Sequence, residues 1–348
     1  MADGHTSAPA TPPNGDAPAP RRGALTDRVL MGVVALGVIV AVWSWTDGVG
    51  LAGGSVLAQV QALAPVIGVV GLLLTLLAIV RRRPVTALVA ALASFALIAP
   101  VIPAPSAAAP QGTKRLSVLA INTLIGAADP QTVIDAVDAH QADVLVLPEM
   151  TTEYWATLQQ AGLSTRLPHA TGRSGGGFGM VVATREPSTC PEVPSGVTCG
   201  KVTVNTGDAP VLGTRGQEEF AQIVVQLPDG TRVKGVHLWS PRALPAQWAS
   251  SQNDMATWIA DQPADTPLVL AGDFNSGPSH QVFRRYSAGF DHGPSGDFPW
   301  TRTWPVMPPI IPFTQVDHVL SRGWRITDSD VLEIPGSDHL GVRATLTR

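Results

Sequence analysis

Cysteine is scarce in this sequence. Among 348 residues only Cys190 and Cys199 are cysteine, and no further Cys or paired His lies beside them, which argues against a structural zinc site. Two alternatives remain for the pair. It forms a loop disulfide if this part of the chain faces an oxidising compartment, and it stays as two free thiols if it does not.

Charged residues are also scarce in the first third of the chain. Only ten of the 50 charged residues lie within residues 1–112, and none lies between residues 48 and 80. Residues 113–348 hold 17 Lys or Arg and 23 Asp or Glu, which gives this part a net charge of −6. Non-specific nucleic-acid binding depends on clustered basic side chains that displace counterions, so an acidic part without such clusters argues against a broad nucleic-acid surface.

Three long apolar runs occupy the charge-poor part. They cover residues 29–45, 56–80 and 84–103, and each is long enough to cross a bilayer as a helix. A cleaved signal peptide is an alternative for the first run, and core helices of a soluble protein are an alternative for all three. The number and length of the runs count against both alternatives, and no clear small-residue cleavage site follows the first.

The arginines near these runs predict their orientation. Arg21, Arg22 and Arg28 precede the first run, and the triplet 81–83 follows the second. Three crossings place all six on one side, which the positive-inside rule identifies as the cytoplasm. Everything after residue 103 then lies outside, where the two cysteines can oxidise.

The chain therefore divides into four parts. We predict a disordered cytoplasmic tail over residues 1–27, rich in Ala and Pro, and a three-helix membrane region over residues 28–103. A Pro- and Ala-rich linker covers residues 104–113, and an extracytoplasmic domain covers residues 114–348.

Short strands and helices alternate in the last part, with no internal repeat. The apolar patterns predict strands at residues 116–121, 144–147, 180–184, 220–227, 233–238, 268–271, 316–320 and 342–346. They predict helices at residues 130–140, 151–160 and 245–261. Many short strands with interspersed helices favour a layered α/β sandwich.

Several of the predicted strands end in a side chain that can bind metal or phosphate. The clearest is the segment 272–275, Gly-Asp-Phe-Asn, where glycine permits a sharp turn after a buried strand. The full set is Asn122, Glu149, His237, Asp273, Asn275, Asp317, Asp338 and His339. Three carboxylates and an amide can form a Mg²⁺ site, and a histidine paired with an aspartate can take a proton from water.

Each of these residues also has a purely structural interpretation. His237 suits a hydrogen-bonded core position, Asp338 a turn, and Glu149 the first turn of a helix. Asp273 and Asn275 suit the cap of the following Ser-Gly-Pro turn. Eight such residues in this order favour a functional site.

The ordered motifs resemble those of the endonuclease/exonuclease/phosphatase superfamily over residues 114–348. The motifs are Asn122, Pro148-Glu149, His237-Leu238, Gly272-Asp273-Phe274-Asn275, Asp317-His318 and Ser337-Asp338-His339. The resemblance implies a four-layer α/β/β/α sandwich and a metal-dependent hydrolase of phosphoesters. It also implies that Mg²⁺, or Mn²⁺ in its place, is the cofactor.

The resemblance also implies a role for each residue. Glu149 becomes the principal metal ligand, with help from Asn122 and Asp338. His339 becomes the general base, oriented by Asp317. The three remaining residues contact water and phosphate: Asp273 and Asn275 position the nucleophilic water and the phosphate, and His237 contacts the phosphoryl oxygens.

Some features depart from related enzymes. The two tyrosines, Tyr154 and Tyr286, do not lie where the superfamily's abasic-site nucleases carry an active-site tyrosine, which argues against a DNA-repair role. His318 follows Asp317 and points to the opposite face of its strand, so we interpret it as structural. The glycine-rich segment 172–179 lacks the Lys-Ser/Thr of a phosphate-binding loop, and we interpret it as a flexible loop.

Substrate is the least determined property. The proline-broken segment 298–313 carries eight apolar side chains besides its prolines, which either pack down as a lid or form an exposed patch that meets lipid. The three-span architecture is similar to the membrane-anchored, VanJ-like members of the superfamily, which implies a lipid-linked phosphate or pyrophosphate as substrate. Extracellular nucleic acid is an alternative that the charge disfavours, and a non-catalytic phospholigand-binding module is another.

Overall fold

Three apolar helices begin the structure, a computed structural model that describes residues 22–46, 54–102, 112–174, 179–191, 203–204, 223–242 and 245–348. They are α1 (Arg22–Ser44), α2 (Gly54–Val80) and α3 (Pro84–Ile98), and α3 continues as a 3₁₀ turn, Ala99–Val101. Each is long and apolar enough to cross a membrane, with mean hydropathies of 2.1, 2.7 and 2.1. Residues 1–21 of the predicted disordered tail and most of the predicted linker lie outside the described residues. The tail prediction is wrong for residues 22–27, which form the start of α1.

The three helices pack on one another through small residues and leave large apolar side chains outside. A Cβ atom at Gly71 would collide with Ser94 Oγ, so glycine allows α2 and α3 to approach closely. Leu73 and Phe95 are more than half exposed, as expected for surfaces that meet lipid. Asp27 pairs with Arg83 at the end of the bundle where the arginine triplet lies.

Two mixed β-sheets form the centre of the domain that follows the three helices. The first has the strand order β11-β12-β1-β2-β4-β3-β5 and the second β6-β7-β8-β10-β9. The strands are β1 (Arg115–Ala120), β2 (Val144–Pro148), β3 (His169–Ser174), β4 (Met180–Thr184), β5 (Thr203–Val204), β6 (Ile223–Gln226), β7 (Arg232–His237), β8 (Leu268–Asp273), β9 (Asp291–Gly293), β10 (Asp317–Arg322), β11 (Arg325–Leu332) and β12 (Gly341–Thr347).

The central strands of both sheets, such as β2, β4 and β8, are buried on both faces, which explains their near-continuous apolar sequences. Val118 of β1 and Val269 of β8 point into the core between the sheets. Leu119 of β1 points to the outer core of the first sheet, and Leu270 of β8 points to the outer core of the second. The alternation produces three apolar cores between four layers, and the predicted α/β/β/α sandwich is confirmed.

Helices cover the two outer faces. They are α4 (Pro130–Ala139), α5 (Thr152–Gln160) and α6 (Leu163–Arg166) on the first sheet, with α7 (Pro245–Ala260) and α8 (Gln281–Tyr286) on the second. Asp129 and Thr151 cap α4 and α5, because each side chain accepts a hydrogen bond from the backbone N–H three residues later in the chain.

The sequence prediction missed four strands and two short helices, and it misplaced one segment. β3, β5, β9, β11, α6 and α8 were not predicted. Gly172 was assigned to a flexible loop, yet it belongs to β3 and pairs with Val181 of β4. A Cβ atom at Gly172 would collide with Met180 O, so this glycine serves close strand approach instead of flexibility.

Cys190 is disulfide-bonded. The chain contains one other cysteine, Cys199, which lies outside the described residues.

One buried lysine, Lys234, lies within a strand and away from the polar residues at the strand ends. Lys234 of β7 is 3% exposed, and its Nζ lies 4.5 Å from the centroid of the Trp258 ring on α7. Burial lowers the pKa of Lys234 to about 7, because the apolar layer around it disfavours the charged form.

We predict that Lys234 makes stability depend on pH. An unfolded lysine has a pKa near 10.4, so between about pH 7 and pH 10 the unfolded chain binds more protons than the folded one. The Lys234 contribution to stability therefore rises with pH in this window, by up to about 1.4 kcal/mol per pH unit, and is lost as pH falls towards 7. Lys234→Met should flatten the pH dependence of the unfolding free energy of the purified chain in detergent.

The matched control is Lys114→Met, because Lys114 is exposed. This variant should keep the pH dependence of the wild type. Equal pH dependence in Lys234→Met and Lys114→Met would contradict the assignment.

Candidate active site

The eight polar residues predicted from the sequence meet at one edge of the two sheets. β1 and β2 run parallel, as do β7 and β8, so the carboxyl ends of each pair lie side by side. β10 runs antiparallel to β8 and starts at this edge, with Asp317 opposite Asp273. The loop before β12 brings Asp338 and His339 to the same place.

Asp273 lies at the centre of this group and is 2% exposed. Its Oδ1 accepts a hydrogen bond from the backbone N–H of Asn275 at 2.8 Å, and its Oδ2 accepts one from Asn275 Nδ2 at 3.1 Å. Asn122 Nδ2 lies 3.3 Å from the same Oδ2. His237 Nε2 and His339 Nε2 lie 3.8 and 3.9 Å from it.

The backbone around Asp273 needs particular residues. Gly272 has φ = 135°, and a Cβ atom there would collide with the carbonyl oxygen of Val236 on the neighbouring strand. Asn275 has φ = 46°, in the left-handed region that asparagine tolerates better than most residues. These two residues allow the chain to turn directly after β8 and direct the Asn275 amide back to Asp273.

His339 and Asp317 form a buried pair on one side of Asp273. His339 Nδ1 lies 2.9 Å from Asp317 Oδ2, and the His339 backbone N–H donates to Ser337 Oγ at 3.1 Å. Thr303 Oγ1 accepts from the Asp317 backbone N–H at 3.2 Å. These bonds fix the imidazole so that Nε2 faces Asp273 and Asp338 Oδ1, the latter at 3.8 Å.

Glu149 lies on the other side of Asp273. Its Oε1 accepts from Asn122 Nδ2 at 3.2 Å and lies 3.7 Å from His237 Nε2. Its φ is 60°, a strained value that Thr123 stabilises by donating its hydroxyl to the Glu149 carbonyl at 2.8 Å. The Glu149 side chain is 18% exposed and that of Asp338 26%, so these two carboxylates are more accessible to solvent than Asp273 and Asp317.

The site holds more negative charge than a buried position favours. Burial raises the pKa of Glu149 and of Asp273. Burial acts to lower the pKa of His339, but Asp317 and Asp273 outweigh it and raise that pKa to about 10. Burial and the neighbouring His339 lower the pKa of His237 to about 3, so that ring is neutral. A cation next to these carboxylates would relieve the excess charge.

The donor atoms fit a hard divalent cation, because they are mostly carboxylate oxygens. Glu149 and Asp338 are the accessible carboxylates. Atoms of Asp273, Asp317 and His339 also lie within 4.8 Å of one another. In that second group Asp317 and the His339 ring already bind each other, which leaves them fewer free ligand atoms for a cation. Asn122 Oδ1 accepts from the Leu124 backbone N–H at 3.0 Å, so in this arrangement Asn122 orients Glu149 through its amide nitrogen.

His318 lies apart from the site, on the opposite face of β10. Its Nε2 lies 3.0 Å from the Ser276 carbonyl oxygen, and its ring packs against Phe274 and Phe283. These contacts are those of a core residue.

Sequence reasoning missed two residues beside the site. Trp304 Nε1 donates to Asp338 Oδ2 at 3.4 Å, and its ring centroid is 6.5 Å from that of His339. The guanidinium of Arg242 lies 5.5 Å from the Trp304 ring centroid. The sequence gives no spacing that links Arg242 to a segment 60 residues away, so only the fold reveals the pair.

The segment predicted as either a lid or an apolar patch combines both properties. Trp300 is 7% exposed and packs down, whereas Phe298 is 94% exposed. Trp304 pairs with Thr314 to make the base of a hairpin, and Met307 pairs with Ile310 near its tip. The tip residues Met307, Ile310 and Ile311 are 48%, 49% and 75% exposed. We call residues 303–314 the apolar hairpin.

Comparison with known proteins identifies the family of this chain. The model of the Endonuclease/Exonuclease/phosphatase family matches residues 119–339, and no curated protein sequence matches the chain. Among solved structures, a humanized D. rerio TDP2 is 15% identical, with 67% of this chain and 99% of that chain covered and a TM-score of 0.47. An endonuclease/exonuclease/phosphatase from Beutenbergia cavernae is 19% identical, with 67% and 72% covered and a TM-score of 0.43. An AP endonuclease from Archaeoglobus fulgidus is 14% identical, with 66% and 98% covered and a TM-score of 0.46.

We predict that a divalent cation stabilises the folded chain through Glu149. Adding Mg²⁺ or Mn²⁺ should raise the thermal midpoint of the wild type by several degrees, because a ligand that binds only the folded state shifts the unfolding equilibrium. Glu149→Gln should lose most of that rise. Glu153→Gln, an equal change at an exposed position of α5, should retain it, and a full rise in Glu149→Gln would contradict the prediction.

Proposed function

We propose, from the premise that this chain belongs to the Endonuclease/Exonuclease/phosphatase family, that it hydrolyses a lipid-linked phosphate or pyrophosphate at the outer face of a membrane. Members of this family are metal-dependent hydrolases of phosphoester bonds, so the enzyme class follows from membership. The matched segment contains all eight site residues, which supports assigning the chemistry to them. The substrate and the side of the membrane are our proposals.

The apolar hairpin is the observation that carries the lipid substrate. Its base touches the site through Trp304, which donates to Asp338. Its tip exposes Met307, Ile310 and Ile311. Exposed apolar side chains next to a phosphate-binding site fit a substrate with a charged head and an apolar chain.

Anchoring and charge support the same substrate. Three apolar helices confine the site to the membrane surface, where a lipid is concentrated and a dissolved polymer is not. The net charge of −6 over residues 113–348 opposes contact with a long polyanion. Extracellular nucleic acid is therefore the weaker candidate.

We propose one binding site and one chemical role for the cation. Glu149 and Asp338 would hold Mg²⁺, with Asn122 orienting Glu149, and the bound ion would offset negative charge on the phosphate during the reaction. All other tasks fall to the side chains of the site.

The protein's own groups supply proton transfer and positioning. In the cation-free site the carboxylates keep a proton on His339 Nε2, and once their charge is offset this atom can accept a proton from the attacking water. The water oxygen bonds to phosphorus while the bond to the leaving oxygen breaks. Asp273 and Asn275 orient the water and the phosphate, and His237 contacts a phosphoryl oxygen.

The arrangement of the arginines supports an outer location. The catalytic domain contacts the end of α1 at Ser44, whereas the ion pair of Arg83 with Asp27 lies at the other end of the bundle. If the arginines are cytoplasmic, the catalytic domain is outside.

We predict that lipid is preferred over nucleic acid. The purified chain with Mg²⁺ should release phosphate from polyprenyl pyrophosphate in detergent faster than it nicks plasmid DNA. Met307→Ser with Ile311→Ser should lower the rate on the lipid and leave hydrolysis of bis(p-nitrophenyl) phosphate unchanged, because the tip touches only the apolar chain. His339→Ala should lower both rates by about 100-fold or more.

Two results would overturn this choice of substrate. One is rapid DNA nicking with no phosphate released from the lipid. The other is equal lipid hydrolysis by the hairpin variant and the wild type. Loss of lipid hydrolysis alone, with bis(p-nitrophenyl) phosphate still cleaved, would leave the enzyme class intact.

We predict the topology from the same arginines. An alkaline phosphatase fusion after residue 110 should be active in cells, because this enzyme folds only outside the cytoplasm, and a fusion near Arg82 should be inactive. The reverse pattern, at equal expression of the two fusions, would place the catalytic domain in the cytoplasm.

A further inference from the structure

The membrane helices make specific contacts with the catalytic domain at α8. Arg284 Nη2 donates to the carbonyl oxygen of Ser44 at 2.9 Å, and the guanidinium lies 4.7 Å from the centroid of the Trp45 ring. Ser44 is the last residue of α1, where carbonyl groups lack partners within the helix and a cation is favoured. Arg284 therefore caps the first membrane helix from the catalytic domain.

A second contact joins α2 to the loop before α8. His280 Nε2 lies 3.1 Å from the carbonyl oxygen of Ala58. The Gly277 backbone N–H donates to His280 Nδ1 at 3.0 Å, which makes Nε2 the nitrogen that carries the proton and donates. His280 is 1% exposed, so this hydrogen bond is shielded from water.

Ala58 also belongs to the outer core of the second sheet. It is 1% exposed and lies in one apolar cluster with Trp248, Phe274 and Phe283. If only a flexible tether joined the membrane helices to the domain, this core would consist of residues of the domain alone. Here α2 supplies one of its buried members.

The same loop carries an active-site residue. Residues 274–280 start beside Asp273 and end at His280. Trp248 of α7 donates its Nε1 to the Asn275 carbonyl oxygen at 2.9 Å, and its ring centroid lies 5.9 Å from that of His280. Asn275 in turn donates to Asp273. A continuous set of contacts thus runs from α2 through His280 and Trp248 to the centre of the site.

We infer that the domain-facing ends of α1 and α2 are part of the active-site framework, and that His280 and Arg284 are positioning residues that hold the 274–280 loop in place. The inference rests on the proposed function only in taking Asn275 as a residue of the working site. It implies that the membrane anchor sets the geometry of catalysis as well as its location.

The test substitutes a residue of α2 and measures amide hydrogen exchange in the loop and the kcat of the enzyme. Ala58→Leu overfills the contact and should push α2 away from the loop. In the full chain in detergent, amide hydrogen exchange over residues 274–286 should become at least about tenfold faster. The kcat for bis(p-nitrophenyl) phosphate should fall about tenfold or more with KM within about threefold, because a small displacement of a positioning group slows the chemical step.

Matched variants control this experiment. Gln59→Leu places the same side chain at the next, exposed position of α2 and should match the wild type, as should Arg285→Ala, whose side chain bonds Asn253 on α7. Exchange in β2 (Val144–Pro148) reports on global stability. If Ala58→Leu speeds exchange there too, Arg284→Met provides the test, since it keeps an apolar stem and removes the bonds to the Ser44 carbonyl oxygen and to the Pro278 carbonyl oxygen of the loop.

Two results would overturn the inference. One is wild-type exchange over residues 274–286 in both Ala58→Leu and Arg284→Met. The other is faster local exchange with an unchanged kcat. Because hydrogen exchange needs no substrate, a failure of lipid hydrolysis would leave this test standing.

Discussion

The structure depends on keeping several carboxylates and imidazoles together, out of water, where two sheets meet. Isolated charges are costly in such a place, and they persist only when hydrogen bonds or opposite charges satisfy them. Asp273 is almost fully buried and accepts hydrogen bonds from both the backbone and the side chain of Asn275. Gly272 makes this turn sterically feasible. The remaining excess of negative charge is the physical reason for a divalent cation.

The same edge determines how the rest of the chain is placed. The loop that follows β8 carries Asn275 and then reaches the membrane helices at His280. At the base of the apolar hairpin Trp304 donates a hydrogen bond to Asp338, and at its tip apolar side chains are exposed. The apolar helices, the catalytic centre and the apolar hairpin are therefore parts of one connected arrangement.

Much of this arrangement was predictable, and the exceptions have physical reasons. The three apolar helices and the main strands have long apolar runs, so the sequence pattern identifies them. The polar residues at or just after the ends of β1, β2, β7 and β8 stand out for the same reason. β11 reads Arg-Ile-Thr-Asp-Ser-Asp-Val-Leu and is largely half-buried or exposed, so it has no such pattern. The contacts of Trp304 with Asp338 and of His280 with Ala58 join distant segments, and only the folded chain reveals them.

The central claim is that the site binds a divalent cation at the accessible carboxylates. The most direct measurement is an anomalous diffraction map of the wild-type chain crystallised with Mn²⁺. We predict one strong peak within bonding distance of Glu149 and Asp338 carboxylate oxygens, and no such peak in Glu149→Gln. A peak bound by Asp317 and His339 and remote from Glu149, or no peak at saturating Mn²⁺, would contradict it.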